Sequence, residues 1–226
     1  MIRLATGMTP EVLSGEEEAR LGFVGASYFT ECKEGVLIDI GGASTEFVRF
    51  ENSQPVQLAS MPLGCLSLYT RFVEKVIPTD QERKKIKKEI RGQLDAAGFN
   101  PESGFSFPLM IGIGGTARAA HKLSCELFSL PKDQYEIKSE YVKKILYELR
   151  HNENKIYRTI YKLIPERVLT ISAGLMILNQ AVRLFDCDSI FVSGYGVREG
   201  YLIDRVIKGV NITRARGACG YGDMYA

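Results

Sequence analysis

Three short stretches of this chain combine glycine with hydroxyl and acidic side chains: Asp39-Ile40-Gly41-Gly42-Ala43-Ser44-Thr45-Glu46, Gly112-Ile113-Gly114-Gly115-Thr116 and Ser193-Gly194-Tyr195-Gly196. Glycine lets the backbone turn sharply and brings N–H groups close to a ligand. Successive N–H groups form a concave anion site. The second stretch opens a helix, whose N-terminus adds positive partial charge. A single glycine turn is ordinarily just a turn. Three of them at strand ends are less easily explained that way, because strand ends are where open α/β sheets bind ligands.

Asp39 closes an apolar strand, an expensive place for a charge without a cation or hydrogen bonds. Glu46 follows just across the turn. Two carboxylates beside a phosphate cradle suit Mg²⁺, which takes oxygen ligands from carboxylates and phosphates together. The bland reading has Asp39 accepting N–H groups of its own turn and Glu46 facing solvent. Spacing alone leaves both readings open.

Other motifs compete less well. Gly112-x-Gly114-x-x-Ala117 fits the dinucleotide fingerprint, but a second strand ending in an acidic residue should follow. Phe128 to Tyr135 is instead polar and contains Pro131. Cys65 and Arg71 have the spacing of cysteine-dependent phosphatases. Leu66-Ser67-Leu68-Tyr69-Thr70 between them lacks glycine, and Leu66, Tyr69 and Phe72 read as the core face of a helix. No Gly-x-Ser-x-Gly elbow or Gly-Lys-Ser/Thr phosphate loop occurs.

The elements that must position these loops follow from periodicity and caps. Ser14 and Glu17 have capping-box spacing, so a helix is predicted over Gly15–Ser27. Val36–Ile40, Thr45–Phe50 and Pro55–Ser60 read as a three-stranded antiparallel meander, turned at Glu51-Asn52-Ser53. Thr79 caps a helix to about Ala97, with Ile86, Ile90 and Leu94 on one face. Leu109–Ile113 and Ser189–Ser193 are buried strands. Helices are predicted from Thr116, over Lys138–Leu149, over Glu166–Phe185 behind Pro165, and over Val197–Ile207. A meander joined to strand–helix units makes a mixed α/β sheet. The Gly- and Arg-rich stretch 208–226 reads as a loose tail.

Composition narrows the classes. The chain has 226 residues, 45% hydrophobic and 25% charged, which suits a globular domain with a sizeable core. A net charge of +2 gives no bulk reason to expect nucleic acid or a membrane surface. No apolar run approaches the roughly 20 residues of a membrane span, and the N-terminus carries no secretion signal. The five scattered cysteines lack a Cys-x-x-Cys pair and point to a reducing, cytoplasmic setting. Two histidines, His121 and His151, argue against a His-based metal cluster.

Ser14-Gly15-Glu16-Glu17-Glu18-Ala19-Arg20, the first two glycine loops and Ser193-Gly194-Tyr195-Gly196-Val197-Arg198-Glu199-Gly200 resemble the signatures of the exopolyphosphatase / guanosine pentaphosphate phosphohydrolase (Ppx/GppA) family. They lie in its order and at its spacing from about Thr6 to Asp204. The resemblance implies an actin-like (ribonuclease-H-like) α/β lobe bordering a phosphate cleft. It also implies hydrolysis of a terminal phosphoanhydride bond in inorganic polyphosphate or guanosine pentaphosphate, with Mg²⁺. By that carry-over Glu18 is the catalytic base, and Asp39 and Glu46 are the metal-associated acids. Gly41, Gly42, Ser44, Gly114, Gly115 and Thr116 line the phosphate site. Without the resemblance Glu18 reads as one more solvated helix carboxylate.

Two departures stand out. The family's third glycine in the first loop is Ala43 here, where a positive φ would be strained. The family's first lobe, with its Asp-x-Gly-Ser-Asn-Ser-like loop, has no counterpart, so residues 1–207 are expected to be the second lobe alone, hydrolysing polyphosphate poorly or not at all by itself. A non-catalytic phosphate- or nucleotide-binding lobe and an ATP-using actin-like relative stay open as alternatives. So does the oligomeric state, a homodimer included.

Overall fold

Val36, Leu37 and Ile38 are apolar without alternation, so the strand they form must be covered on both faces. In the computed structural model, which describes residues 2–10, 12–28, 30–99, 104 and 106–207, it is. The elements run α1 (Ile2–Thr6), α2 (Gly15–Tyr28), β1 (Gly35–Ile40), β2 (Thr45–Glu51), β3 (Gln54–Met61), α3 (Cys65–Phe72) and α4 (Asp80–Ala96). Then come β4 (Leu109–Ile113), α5 (Gly114–Phe128), β5 (Glu136–Lys138), α6 (Ser139–His151), α7 (Glu153–Leu163), α8 (Ile171–Leu184), β6 (Ser189–Val192) and α9 (Val197–Leu202).

The six strands form one sheet in the order β3-β2-β1-β4-β6-β5. β1, β2 and β3 pair antiparallel, as the meander predicts, and β1, β4 and β6 run parallel. Asn52 and Ser53 both have positive φ, which fits a tight hairpin turn between β2 and β3. Because β1, β4 and β6 share one direction, the glycine loops that follow them leave the same end of the sheet. The register makes this close: Asp39 lies beside Ile113, and Gly112 beside Val192.

Strand alternation sorts side chains onto two faces. Val36, Ile38, Ile40, Phe47 and Met61 join the large core beneath the helices α3–α8. Leu37, Val48, Phe50 and Ile111 point the other way and pack against Ala19, Phe23 and Ala26 of α2. Asp39, Glu46 and Ser60 share the parity of this second face, so they emerge beneath α2. The fold is therefore a mixed α/β/α lobe, and no helix among the described residues is long and apolar enough to cross a membrane.

The structure revises several expectations. α5 begins at Gly114 rather than Thr116. The helix expected over Glu166–Phe185 is a separate 3₁₀ turn, Pro165–Arg167, followed by α8. The last helix ends at Leu202 and continues as a π turn over Ile203–Ile207. The inner face of α3 is Cys65 and Leu68, not Leu66, which is 49% exposed. Helix α7 and the three-residue edge strand β5 had no prediction. The capping box at Thr79 and Glu82 is complete. That at Ser14 is half-formed: its hydroxyl accepts from the Glu17 N–H, while the Glu17 carboxylate turns to Arg20 and Arg205. The predicted tail lies outside the described residues.

α2 and α9 meet backbone to backbone. A Cβ added at Gly200 would lie 1.8 Å from the Leu21 carbonyl oxygen, and one at Gly25 would lie 2.0 Å from that of Gly196. Arg20 adds an ion pair to Asp204 at 2.7 Å. Gly200→Ala must push the helices apart. Urea unfolding should show a loss of about 1–3 kcal/mol, and a change within about 0.5 kcal/mol would contradict this packing.

Candidate functional site

Glu18 is delivered by packing at the start of α2. Gly15 sits directly against Ser60 of β3, close enough that a Cβ there would lie 2.3 Å from Ser60 Oγ. The Ser60 hydroxyl in turn donates to Glu46 Oε1 at 3.0 Å. One helical turn places Glu18 over the ends of β1 and β2, where its charge acts on both Asp39 and Glu46.

Asp39 and Glu46 are direct cross-strand partners. Glu46 is 2% exposed, which excludes the reading that it faces solvent. Burial pushes its carboxyl above the ordinary value, opposed by hydrogen bonds from Ser44 and Ser60 and reinforced by Glu18 and Asp39. Asp39 is half-buried and accepts no hydrogen bond from its own turn among the described residues. Burial, then repulsion from Glu18, push its carboxyl up to about 6, against an opposing attraction from Arg118.

Gly114 adopts φ +75°, and a Cβ there would lie 2.1 Å from Asp39 Oδ1. Both the conformation and the space require glycine. The first turn of α5 thus opens beside the Asp39 carboxylate, with its leading N–H groups free of intrahelical partners. Thr116 is buried, and its hydroxyl donates to the Ile40 carbonyl at 3.1 Å, which ties α5 to the end of β1.

In the first loop, backbone roles divide. The Gly41 N–H donates to the Ser44 carbonyl, and the Gly41 and Gly42 carbonyls accept from Cys65, Leu66 and Ser67 at the start of α3. The carbonyls therefore face α3. The N–H groups of Gly42 and Ala43 have no acceptor among the described residues, and both residues are exposed. Ala43 is not among the residues of positive φ, so alanine in place of the family's third glycine carries no backbone strain. Ser44 turns its hydroxyl to Glu46.

Arg167 escaped the sequence reading. It belongs to the 3₁₀ turn after Pro165, and its guanidinium lies against Gly115, with Nη2 1.7 Å from where a Cβ would stand. No carboxylate pairs with it among the described residues. Only the fold brings position 167 to position 115. No spacing rule could have signalled it.

The competing motifs fail on geometry. Cys65 is buried in the core, while Arg71 is 49% exposed and pairs with Glu89 at 3.1 Å. The next strand after Gly112, β5, is a three-residue antiparallel edge and not the parallel strand that a dinucleotide unit requires at that spacing.

The donor set fits Mg²⁺ of the phosphate-sharing kind. Among the described residues no cage of three His, Cys, Asp or Glu ligands exists. Asp39, with Glu46 behind it, offers one or two carboxylates, and Mg²⁺ commonly completes its shell with phosphate and water.

A carboxyl raised on folding favours the folded state when protonated. Its contribution is complete below about pH 3.9 and is lost as pH rises through about 6. Asp39→Asn should therefore stabilise the metal-free protein at pH 7.5 by about 1–3 kcal/mol and have little effect near pH 4. Thermal melts of both proteins across this range check the sign, and equal effects at both ends would contradict it.

Comparisons with known proteins agree with this architecture. The chain superposes on an Aquifex aeolicus member of the Ppx/GppA protein family with TM-score 0.74 at 24% identity, covering 94% of this chain and 69% of that one. An exopolyphosphatase from Cytophaga hutchinsonii gives 0.77 at 18% identity, covering 94% and 70%. An exopolyphosphatase-like protein gives 0.78 at 22% identity, covering 92% and 72%. These likenesses establish the actin-like fold. The sequence model described as the Ppx/GppA phosphatase family matches residues 1–208, and the chain belongs to that family.

Proposed function

We propose that this chain hydrolyses the terminal phosphoanhydride bond of inorganic polyphosphate or guanosine pentaphosphate, assisted by Mg²⁺. The observation that carries the reading is the convergence of Glu18, Asp39 and Glu46 beside the open first turn of α5.

In this reading the terminal phosphate rests on the N–H groups of Gly42, Ala43, Gly115 and Thr116, with Arg167 over Gly115. These donors stabilise the charge that spreads over its equatorial oxygens. Glu18 accepts a proton from a water whose oxygen attacks the terminal phosphorus. The bond from phosphorus to the bridging oxygen breaks, and its electron pair leaves on the shortened chain. Asp39 and Glu46 would hold Mg²⁺, which when bound neutralises phosphate charge. Ser44 and Ser60 fix Glu46, so that Asp39 presents its carboxylate to the cleft.

The exposure of Gly42 and Ala43 favours a second reading, in which the lobe holds phosphate and turns it over only beneath a covering surface. A phosphate held from one side stays hydrated and its charge is screened. Misalignment of the nucleophile can then cost about a hundredfold in rate.

Phosphate release from polyphosphate and from guanosine pentaphosphate with Mg²⁺ tests both readings. Turnover by this chain that falls at least about a hundredfold in Glu18→Gln supports hydrolysis. Binding without turnover in both proteins supports the second reading. Turnover indifferent to Glu18→Gln contradicts the assignment of the base.

A further inference from the structure

The outer helical layer carries a second feature that the glycine loops do not use. α4, α6 and α8 enclose a groove of about 700 Å³. Each helix contributes one stripe at three- and four-residue spacing: Asp80, Arg83, Lys84 and Lys87 from α4; Ser139, Lys143, Leu146 and Arg150 from α6; Met176, Asn179 and Arg183 from α8. The core-facing stripes of α4 and α6 are apolar, with Ile86 and Ile90 on one and Val142 and Ile145 on the other. The stripes facing the groove are cationic.

Its charges are not balanced from within. The two acids that line it are both engaged, Asp80 with Arg150 at 2.6 Å and Glu140 with Lys144 at 3.1 Å. Lys84, Lys87, Lys143 and Arg183 have no ion pair among the described residues. Arg83 is held by two backbone carbonyls, donating from Nε to Pro78 at 2.9 Å and from Nη2 to Leu149 at 3.4 Å. Beneath the cations lie Met176 and Val182, both buried. Six cations against two engaged acids leave an excess of positive charge along the groove. The ordinary reading of a lysine-rich helix is a solvated face, which Lys85 and Lys88 fit; Lys84 and Lys87 are exposed as well but line the groove.

A second observation points to a ligand. Ser139, at the first turn of α6, is 8% exposed, and its hydroxyl is buried without a hydrogen-bond partner. It lines the same groove, at the positive end of a 13-residue helix. A buried hydroxyl without a partner calls for one, and an anionic oxygen in the groove would supply it.

We infer that this groove binds a linear oligophosphate anion at a site separate from the glycine loops. A single phosphate would meet only part of the stripe, whereas several linked phosphates span the cations of all three helices. The volume falls within the range of small-ligand sites. The charge could come from an inorganic chain or from the phosphates of a nucleotide.

Calorimetric titration of the 226-residue chain in physiological salt tests this, using tripolyphosphate and GTP as probes. Three proteins are compared: the unaltered chain, Lys84→Gln/Lys143→Gln/Arg183→Gln, and Gly115→Asp in the glycine loop. The groove positions are exposed, so the triple variant should melt like the unaltered chain; if it does not, Lys143→Gln alone is titrated in its place. A binding event that persists in Gly115→Asp and weakens at least tenfold in the groove variant supports the inference. Tripolyphosphate sufficing identifies the inorganic chain, and GTP alone identifies the nucleotide. Equal affinity and stoichiometry in the groove variant and the unaltered chain would overturn it, whatever happens at the glycine loop.

Discussion

The structure depends on a repulsion. Asp39 and Glu46 face each other across two antiparallel strands, on the sheet face covered by α2, and Glu18 arrives above them. Burial and like charge both oppose ionisation there. Folding alone gains nothing from placing three carboxylates together, and Ser44 and Ser60 relieve only Glu46. Such an arrangement favours acids that are protonated or paired with a cation. In the proposed function the acids would hold Mg²⁺ and the neighbouring N–H groups would receive the phosphate that it accompanies.

The rest of the fold keeps that cluster in place. The close approach of α2 to α9 fixes the height of α2 above the sheet, and Gly15 against Ser60 fixes its start. On the other face, the Gly41 and Gly42 carbonyls receive the first N–H groups of α3. This contact occupies the carbonyls and leaves the N–H groups of Gly42 and Ala43, both exposed, without an acceptor among the described residues. The parallel run of β1, β4 and β6 then brings the loops to one edge without any further device.

Much of this could be read from the residues. The unbroken apolar runs at Val36 and Leu109 signalled buried strands, and the Thr79–Glu82 pair signalled its helix, because these depend on local chemistry. The fate of Glu46 could not be read, since alternation along a strand gives its face but not what covers that face. Ala43 looked strained only because glycine at that place in relatives suggested a positive φ; the turn is made without one. The helix expected at Glu166 failed because Pro165 opens a 3₁₀ turn as readily as an α-helix. That same break frees Arg167 to reach Gly115. Contacts between residues so far apart in the chain are decided by packing, which no periodicity encodes.

The central claim is that the first two glycine loops form one anion site beside the acidic cluster. Backbone amide resonances of the ¹⁵N-labelled chain, followed during titration with orthophosphate in the presence of Mg²⁺, test it most directly. The account predicts that the amides of Gly42, Ala43, Gly115 and Thr116 shift together along one binding curve, and that Asp39→Asn weakens that curve. Shifts confined to one loop, or loops that saturate at different phosphate concentrations, would contradict it.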